Sequence, residues 1–102
     1  MRQSTPAKLI EIHCSEHDRH QGMPLYEAIV QKCREMGIAG VTVLRDLEGY
    51  GETSAIHRKP VTVVVVDSAV QIVALSEAVA QMMDKGVMAV SDVSMRRYFA
   101  TG

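Results

Sequence analysis

The first patterned stretch is Lys8-Leu9-Ile10-Glu11-Ile12-His13-Cys14, where apolar and polar residues alternate. A period of two puts every second side chain on one face and predicts a strand with one buried side. Residues 15–24 are polar and carry Gly22 and Pro24, which reads as a loop. From Leu25 the period lengthens. Leu25, Ile29, Cys33 and Met36 fall on one helical stripe, joined by Ala28 and Val30, and Gly37 supplies the stop. A second strand is expected over residues 40–47, then a loop over 48–59 that Pro60 closes. Residues 61–66 form a near-continuous apolar run, the pattern of a central strand. Asp67 or Ser68 then caps a second helix reaching to around Asp84, with Ile72, Leu75, Val79 and Met82 or Met83 on its apolar face. Gly86 ends that helix. Residues 87–93 read as a short turn-and-strand segment and 93–98 as the last strand.

The order strand, helix, strand, loop, strand, helix, strand predicts an α+β fold. Two right-handed crossovers give a ferredoxin-like βαββαβ sandwich, a four-stranded antiparallel sheet with both helices on one face. The expected organisation is a single domain over residues 1–102 with a flexible N-terminal tail at 1–7. The third strand is apolar on both sides, so the uncovered sheet face needs a partner, and a homo-oligomer is the simplest cover.

Composition narrows the function classes. The formal charge is −1, which leaves no basic field for nucleic acid, and with no Trp and a single Phe there is no aromatic platform for stacking bases. No apolar run reaches the roughly 20 residues of a membrane helix, and Met1-Arg2-Gln3-Ser4-Thr5-Pro6 lacks a signal-peptide core, so a cytoplasmic location is expected. Cys14 and Cys33 sit in apolar contexts and read as buried thiols in a reducing compartment.

Three groups of residues could carry chemistry. Gly37, Gly40, Gly49 and Gly51 could let backbone N–H groups approach a phosphate, although a glycine pair leading into a loop is not a dinucleotide fingerprint. His13, Cys14, His17 and His20, with Glu16 and Asp18 among them, invite a metal reading, yet no ligand spacing of a closed metal site is present. His57-Arg58-Lys59 and Arg96-Arg97 are basic, and arginine suits phosphate contact. Neighbours on a strand point to opposite faces, so only one of Arg96 and Arg97 would face a given cleft. No nucleophile–base set or carboxylate pair is evident, so catalytic residues and an enzymatic role are not expected.

The residues Pro24-Leu25-Tyr26-Glu27-Ala28-Ile29-Val30, Gly37 to Arg45 and Glu48-Gly49-Tyr50-Gly51 carry a family resemblance. Glu16-His17-Asp18-Arg19, Ser54-Ala55-Ile56-His57, Val66-Asp67, Asp92-Val93 and Arg97-Tyr98 fit the same pattern. The chain resembles the uncharacterised PII-like proteins of bacteria and archaea, relatives of the PII nitrogen-signalling proteins. The resemblance implies a homotrimer that binds an adenine nucleotide (AMP, ADP or ATP) in clefts between subunits. It also implies bicarbonate as a second ligand and a regulated target protein, of the transporter or carbon-metabolism kind. The nucleotide-binding residues implied are Thr42, Gly49, Tyr50 and Gly51, with Arg96 and Arg97 on the phosphate side. The cation-tolerance proteins share this fold, which keeps a trimeric divalent-metal protein as the alternative. Three departures from the pattern stand out. Residues 48–59 form a shortened T-loop-like segment, Asp46 replaces a common glycine, and Lys85-Gly86-Val87 stands where PII proteins carry a glycine-rich phosphate loop.

Overall fold

The computed structural model describes residues 4–38, 40–45, 48–51 and 54–98, with 48–51 and 54–58 described as backbone. Strand β1 (Thr5–Ser15) leads to a miniature hairpin of β2 (Arg19–His20) and β3 (Met23–Pro24), then to helix α1 (Leu25–Glu35). Strand β4 (Val41–Arg45) precedes a second hairpin of β5 (Glu48–Gly51) and β6 (Ser54–Arg58). Strand β7 (Pro60–Asp67), helix α2 (Ala69–Ala80) and strand β8 (Val87–Met95) complete the order. The four long strands form one antiparallel sheet in the order β4-β7-β1-β8. This is the ferredoxin-like sandwich that the element order predicts.

Register decides which side chains meet. Ile10, Ile12 and Cys14 of β1 stand beside Val65, Val63 and Val61 of β7. All six are buried, and they pack under Leu25, Ile29 and Cys33 of α1 and Ile72, Leu75 and Val79 of α2. A one-residue slip would turn this whole set outward, so the buried face itself specifies the pairing. The opposite face presents Leu9, Glu11 and His13 beside Val66, Val64 and Thr62, and Leu44 of β4 beside Thr62. On that face Leu44 is 49% and Val87 43% exposed, so it carries apolar side chains without cover in the single chain.

Helix ends follow their local chemistry. Gly37 (φ 75°) lets Ile38 N–H reach the Cys33 carbonyl at 3.0 Å and Gly37 N–H reach Arg34 at 3.1 Å, the paired bonds that close a helix on a left-handed residue. Ser68 caps α2, its Oγ accepting from Gln71 N–H at 3.3 Å, while Asp67 accepts from Ser68 N–H at 2.7 Å.

Several expected boundaries are corrected. β1 begins at Thr5, so Thr5, Pro6 and Ala7 belong to a strand and not to a tail, and Ala7 is buried. The polar segment after β1 is a hairpin because Gln21 (φ 50°) and Gly22 (φ 83°) turn consecutively through positive φ. Residues 48–58, expected as a loop, pair as β5 and β6 with a bulge near Gly49 and Gly51. Helix α2 stops about a turn before Asp84, and Met82 and Met83 reach the core from the turn that follows. β8 is one strand beginning at Val87, and Arg96 and Arg97 lie just beyond it.

Burial sets the cysteine chemistry. Loss of solvent pushes both thiols from an ordinary 9.0 to about 11, with the Asp18 carboxylate adding to the effect at Cys14. A backbone hydrogen bond offsets part of the effect at Cys33. Because both folded values are raised, the stability they carry is complete below pH 9 and is lost as pH rises through about 11. At pH 8 the folded chain should hold about a hundredfold less thiolate than the unfolded one. A thiol-reactive dye should therefore label the native protein far more slowly than protein in denaturant, and equal labelling rates would contradict this burial.

Candidate functional site

The base of the β5–β6 hairpin is the candidate site. β4 enters it at Arg45 and β7 leaves it after Lys59, whose φ of 59° turns the chain back into the sheet. Gly49 pairs with His57 and Gly51 with Ser54, so both glycines lie on the outgoing strand of the hairpin. The Tyr50 side chain and Asp46 lie outside the described residues. Thr42 is exposed on the edge strand β4, beside Val64 and on the sheet face that the helices leave open.

Arg96 and Arg97 do not join this group within one chain. β8 runs antiparallel to β1, and Met95 pairs with Thr5 at the end of the sheet where β1 starts. The hairpin rises from the other end, where Arg45 pairs with Val61. Arg96 Nε instead donates to Ser4 Oγ at 3.0 Å. Nearby, Lys8 and Asp92, direct cross-strand partners, form an ion pair of 2.6 Å. Gly49 and Gly51 therefore lie at one end of a subunit and the two arginines at the other, with Thr42, level with Val64 and Glu11, near the middle of the edge strand.

What surrounds the hairpin base was not expected from the sequence. Arg45 donates from Nη2 to the Tyr26 hydroxyl, and its guanidinium carbon lies 4.9 Å from the centre of the Tyr26 ring. Tyr26 is buried in the first turn of α1, so its hydroxyl is held in place. Glu16 N–H donates to the Lys59 carbonyl at 3.0 Å. Asp18 accepts from Ser15 N–H at 2.8 Å through its carboxylate and from Leu25 N–H at 2.8 Å through its carbonyl. That second bond satisfies a first-turn amide of α1, which has no side-chain cap. Lys85 approaches the Asp18 carboxylate at 4.0 Å, and these residues with Arg19, Leu25, Met82 and Asp84 line a pocket of about 50 Å³.

The residues behind the metal alternative are spread apart. The His13 ring lies on the open face, with Nε2 3.3 Å from Glu11 and Nδ1 3.1 Å from the Thr62 hydroxyl. Cys14 points into the core, as adjacent strand residues must alternate. His17 is exposed and His20 half-buried in β2. Among the described residues, no three His, Cys, Asp or Glu side chains converge. Among the same residues, no helix is long and apolar enough to cross a membrane.

Known proteins share this architecture. A UPF0166 protein of Aquifex aeolicus (strain VF5) is 37% identical over 51 residues, 50% of this chain and 49% of that protein. The chain thus matches about half the length of that curated relative. CPII of Thiomonas intermedia K12, a nitrogen regulatory PII-like protein bound to ADP, AMP and bicarbonate, superposes with a TM-score of 0.74 at 18% identity, covering 91% of this chain and 98% of that one. CutA1 of Oryza sativa superposes with a TM-score of 0.60 at 12% identity, covering 96% of this chain and 85% of that one. At such identities the likeness is one of fold, and CPII has the higher score. The profile of the DUF190 family, described as "Uncharacterized ACR, COG1993", matches residues 7–95. The match spans most of the chain, so the chain belongs to the DUF190 family, and its fold is one that PII-like proteins share.

Proposed function

We propose that this protein is a regulatory module that binds an adenine nucleotide at the base of the β5–β6 hairpin, in a cleft that a neighbouring copy completes. The observation that carries the reading is the position of Gly49 and Gly51, on a hairpin strand continuing from the exposed edge strand that bears Thr42. Backbone without Cβ there admits close approach of a ligand. Thr42, Gly49, Tyr50 and Gly51 come from one subunit, and Arg96 and Arg97 of a neighbour supply the phosphate-side cations. A cyclic trimer joins the two ends of different subunits and covers the apolar open face. CPII, bound to ADP, AMP and bicarbonate, supports the ligand class, with bicarbonate as the second, smaller ligand. Lys85-Gly86-Val87 is a short connection where a longer phosphate loop would stand, which favours AMP or ADP over ATP. The bound ligand orders the hairpin, and the ordered hairpin changes the surface offered to a target protein.

Calorimetric titration with AMP, ADP and ATP, each with and without bicarbonate, tests the ligand, and sedimentation equilibrium tests the trimer. Saturable binding of AMP or ADP, one per subunit, is the expected result. Stabilisation by zinc or copper alone, abolished by replacing His17 and His20, would overturn it in favour of a metal-binding protein. Gly51→Val should weaken nucleotide binding by at least about tenfold while leaving the melting temperature of the free protein nearly unchanged. Unchanged affinity would place the cleft elsewhere.

A further inference from the structure

Both legs of the hairpin are tied to one short stretch of chain. The outgoing leg is held where Arg45, the last residue of β4, donates to the Tyr26 hydroxyl and lies 4.9 Å from its ring centre. The returning leg is held where the Lys59 carbonyl accepts from Glu16 N–H at 3.0 Å. Glu16 and Tyr26 bound the segment between β1 and α1, and that segment is itself braced. Asp18 links Ser15 to Leu25 through its carboxylate and its carbonyl, Arg19 and His20 pair with Pro24 and Met23, and Lys85 reaches Asp18 from beyond α2. The polar Glu16-His17-Asp18-Arg19 stretch, which invites a metal reading in the sequence, thus has a mechanical use.

We infer that residues 15–26 form a bracket that sets the position of the β5–β6 hairpin, with Tyr26 and Arg45 as its positioning residues for the ligand at the hairpin base. The second half of this inference rests on the nucleotide reading above; the first half stands without it. A planar guanidinium on an aromatic face, with one N–H directed at a fixed hydroxyl, is a defined geometry that lysine cannot reproduce. Because Tyr26 is buried while Arg45 is exposed, the tyrosine is the fixed post and the arginine the movable arm. The contact lies three residues before Glu48, so a change in the Arg45 position passes directly into β5.

Tyr26→Phe removes only the hydroxyl and keeps the ring, and Arg45→Gln changes an exposed side chain, so both variants should fold. Hydrogen exchange on the ligand-free protein is the first readout. Amides of residues 48–51 and 54–58 should exchange about tenfold faster in each variant, the factor that loss of a hydrogen bond to a charged group carries. Amides of β1 and β7 should be unchanged, and the double variant should be no faster than Arg45→Gln alone, because that change already removes both the hydrogen bond and the ring contact. Hairpin exchange equal to wild type in both single variants, or exchange in the double variant clearly faster than in Arg45→Gln, would overturn the bracket. ADP titration is the second readout. Loss of affinity in both single variants, with no further loss in the double beyond that of Arg45→Gln, is expected. Normal binding by Tyr26→Phe with lost binding by Arg45→Gln would make Arg45 a direct ligand contact and overturn the positioning role. If the wild type binds no adenine nucleotide, the nucleotide reading fails, while the exchange result still decides the bracket.

Discussion

Gly86→Ala should destabilise the protein by about 2–4 kcal/mol, a loss carried by a single methyl group. Gly86 sits at φ 125°, a backbone conformation that L side chains rarely adopt. A Cβ built there would lie 2.6 Å from the His13 carbonyl oxygen and 2.6 Å from Met83 Cε. The methionine end can swing aside. The carbonyl cannot, because His13 is paired on one side with Thr62 of β7 and on the other with Val87 of β8. The strain must therefore be absorbed by the turn that feeds β8, or by β1 itself. The melting temperature should fall by about 10–20 °C at fixed protein concentration, concentration being held because association would add stability by mass action. Gly40→Ala is the matched control. Nothing lies within 4 Å of its Cβ position, so the change should cost no more than about 0.5 kcal/mol. Equal melting temperatures for the two variants would mean that the turn before β8 relaxes freely, against the close approach described here.

Leu75→Ala and Val70→Ala should differ sharply, although both shorten an aliphatic side chain on α2. Leu75 is fully buried between the sheet and α1, and its truncation leaves a cavity costing about 2–5 kcal/mol. Val70 is 79% exposed, and alanine is the better helix former there, so the change should stay within about 0.5 kcal/mol of neutral. Urea denaturation of the two variants measures the contrast. The outer face of α2 is nonetheless apolar, with Ala69, Val70, Val73 and Ala74 lining a shallow hollow of about 370 Å³ beside Glu77. A cost for Val70→Ala comparable to that for Leu75→Ala would show that this face is covered in solution.

The parts of the fold legible in the sequence are those with a local physical cause. The apolar run of β7, the Gly37 stop and the Ser68 cap each depend on neighbours within a few residues. β2 and β3 were not legible because they depend on two consecutive positive φ values, one at a glutamine. The β5–β6 pairing was hidden because glycines and charged residues interrupt its alternation. The contact between Tyr26 and Arg45 joins a helix to a strand across 19 positions, and in the sequence Tyr26 is one more large residue on a helical face. The separation of Arg96 and Arg97 from the hairpin was readable in principle. Once the order β4-β7-β1-β8 is accepted, antiparallel pairing sends the end of β8 and the end of β4 to opposite ends of the sheet.

The same sheet order has a consequence for biosynthesis. β1 is made first yet lies between β7 and β8, with Ile10 facing Val65 on one side and Val90 on the other. Helix α1 and the small β2–β3 hairpin need only nearby chain and can form as they emerge from the ribosome. β1 must wait for β7, and then again for the last long strand, before both its edges are satisfied. A nascent chain stalled ahead of β8 would present one unpaired side of β1, a row of open backbone groups to which another chain could add. Assembly of this sheet is therefore a late event dominated by distant pairings, and the domain should fold more slowly than a helical bundle of the same length.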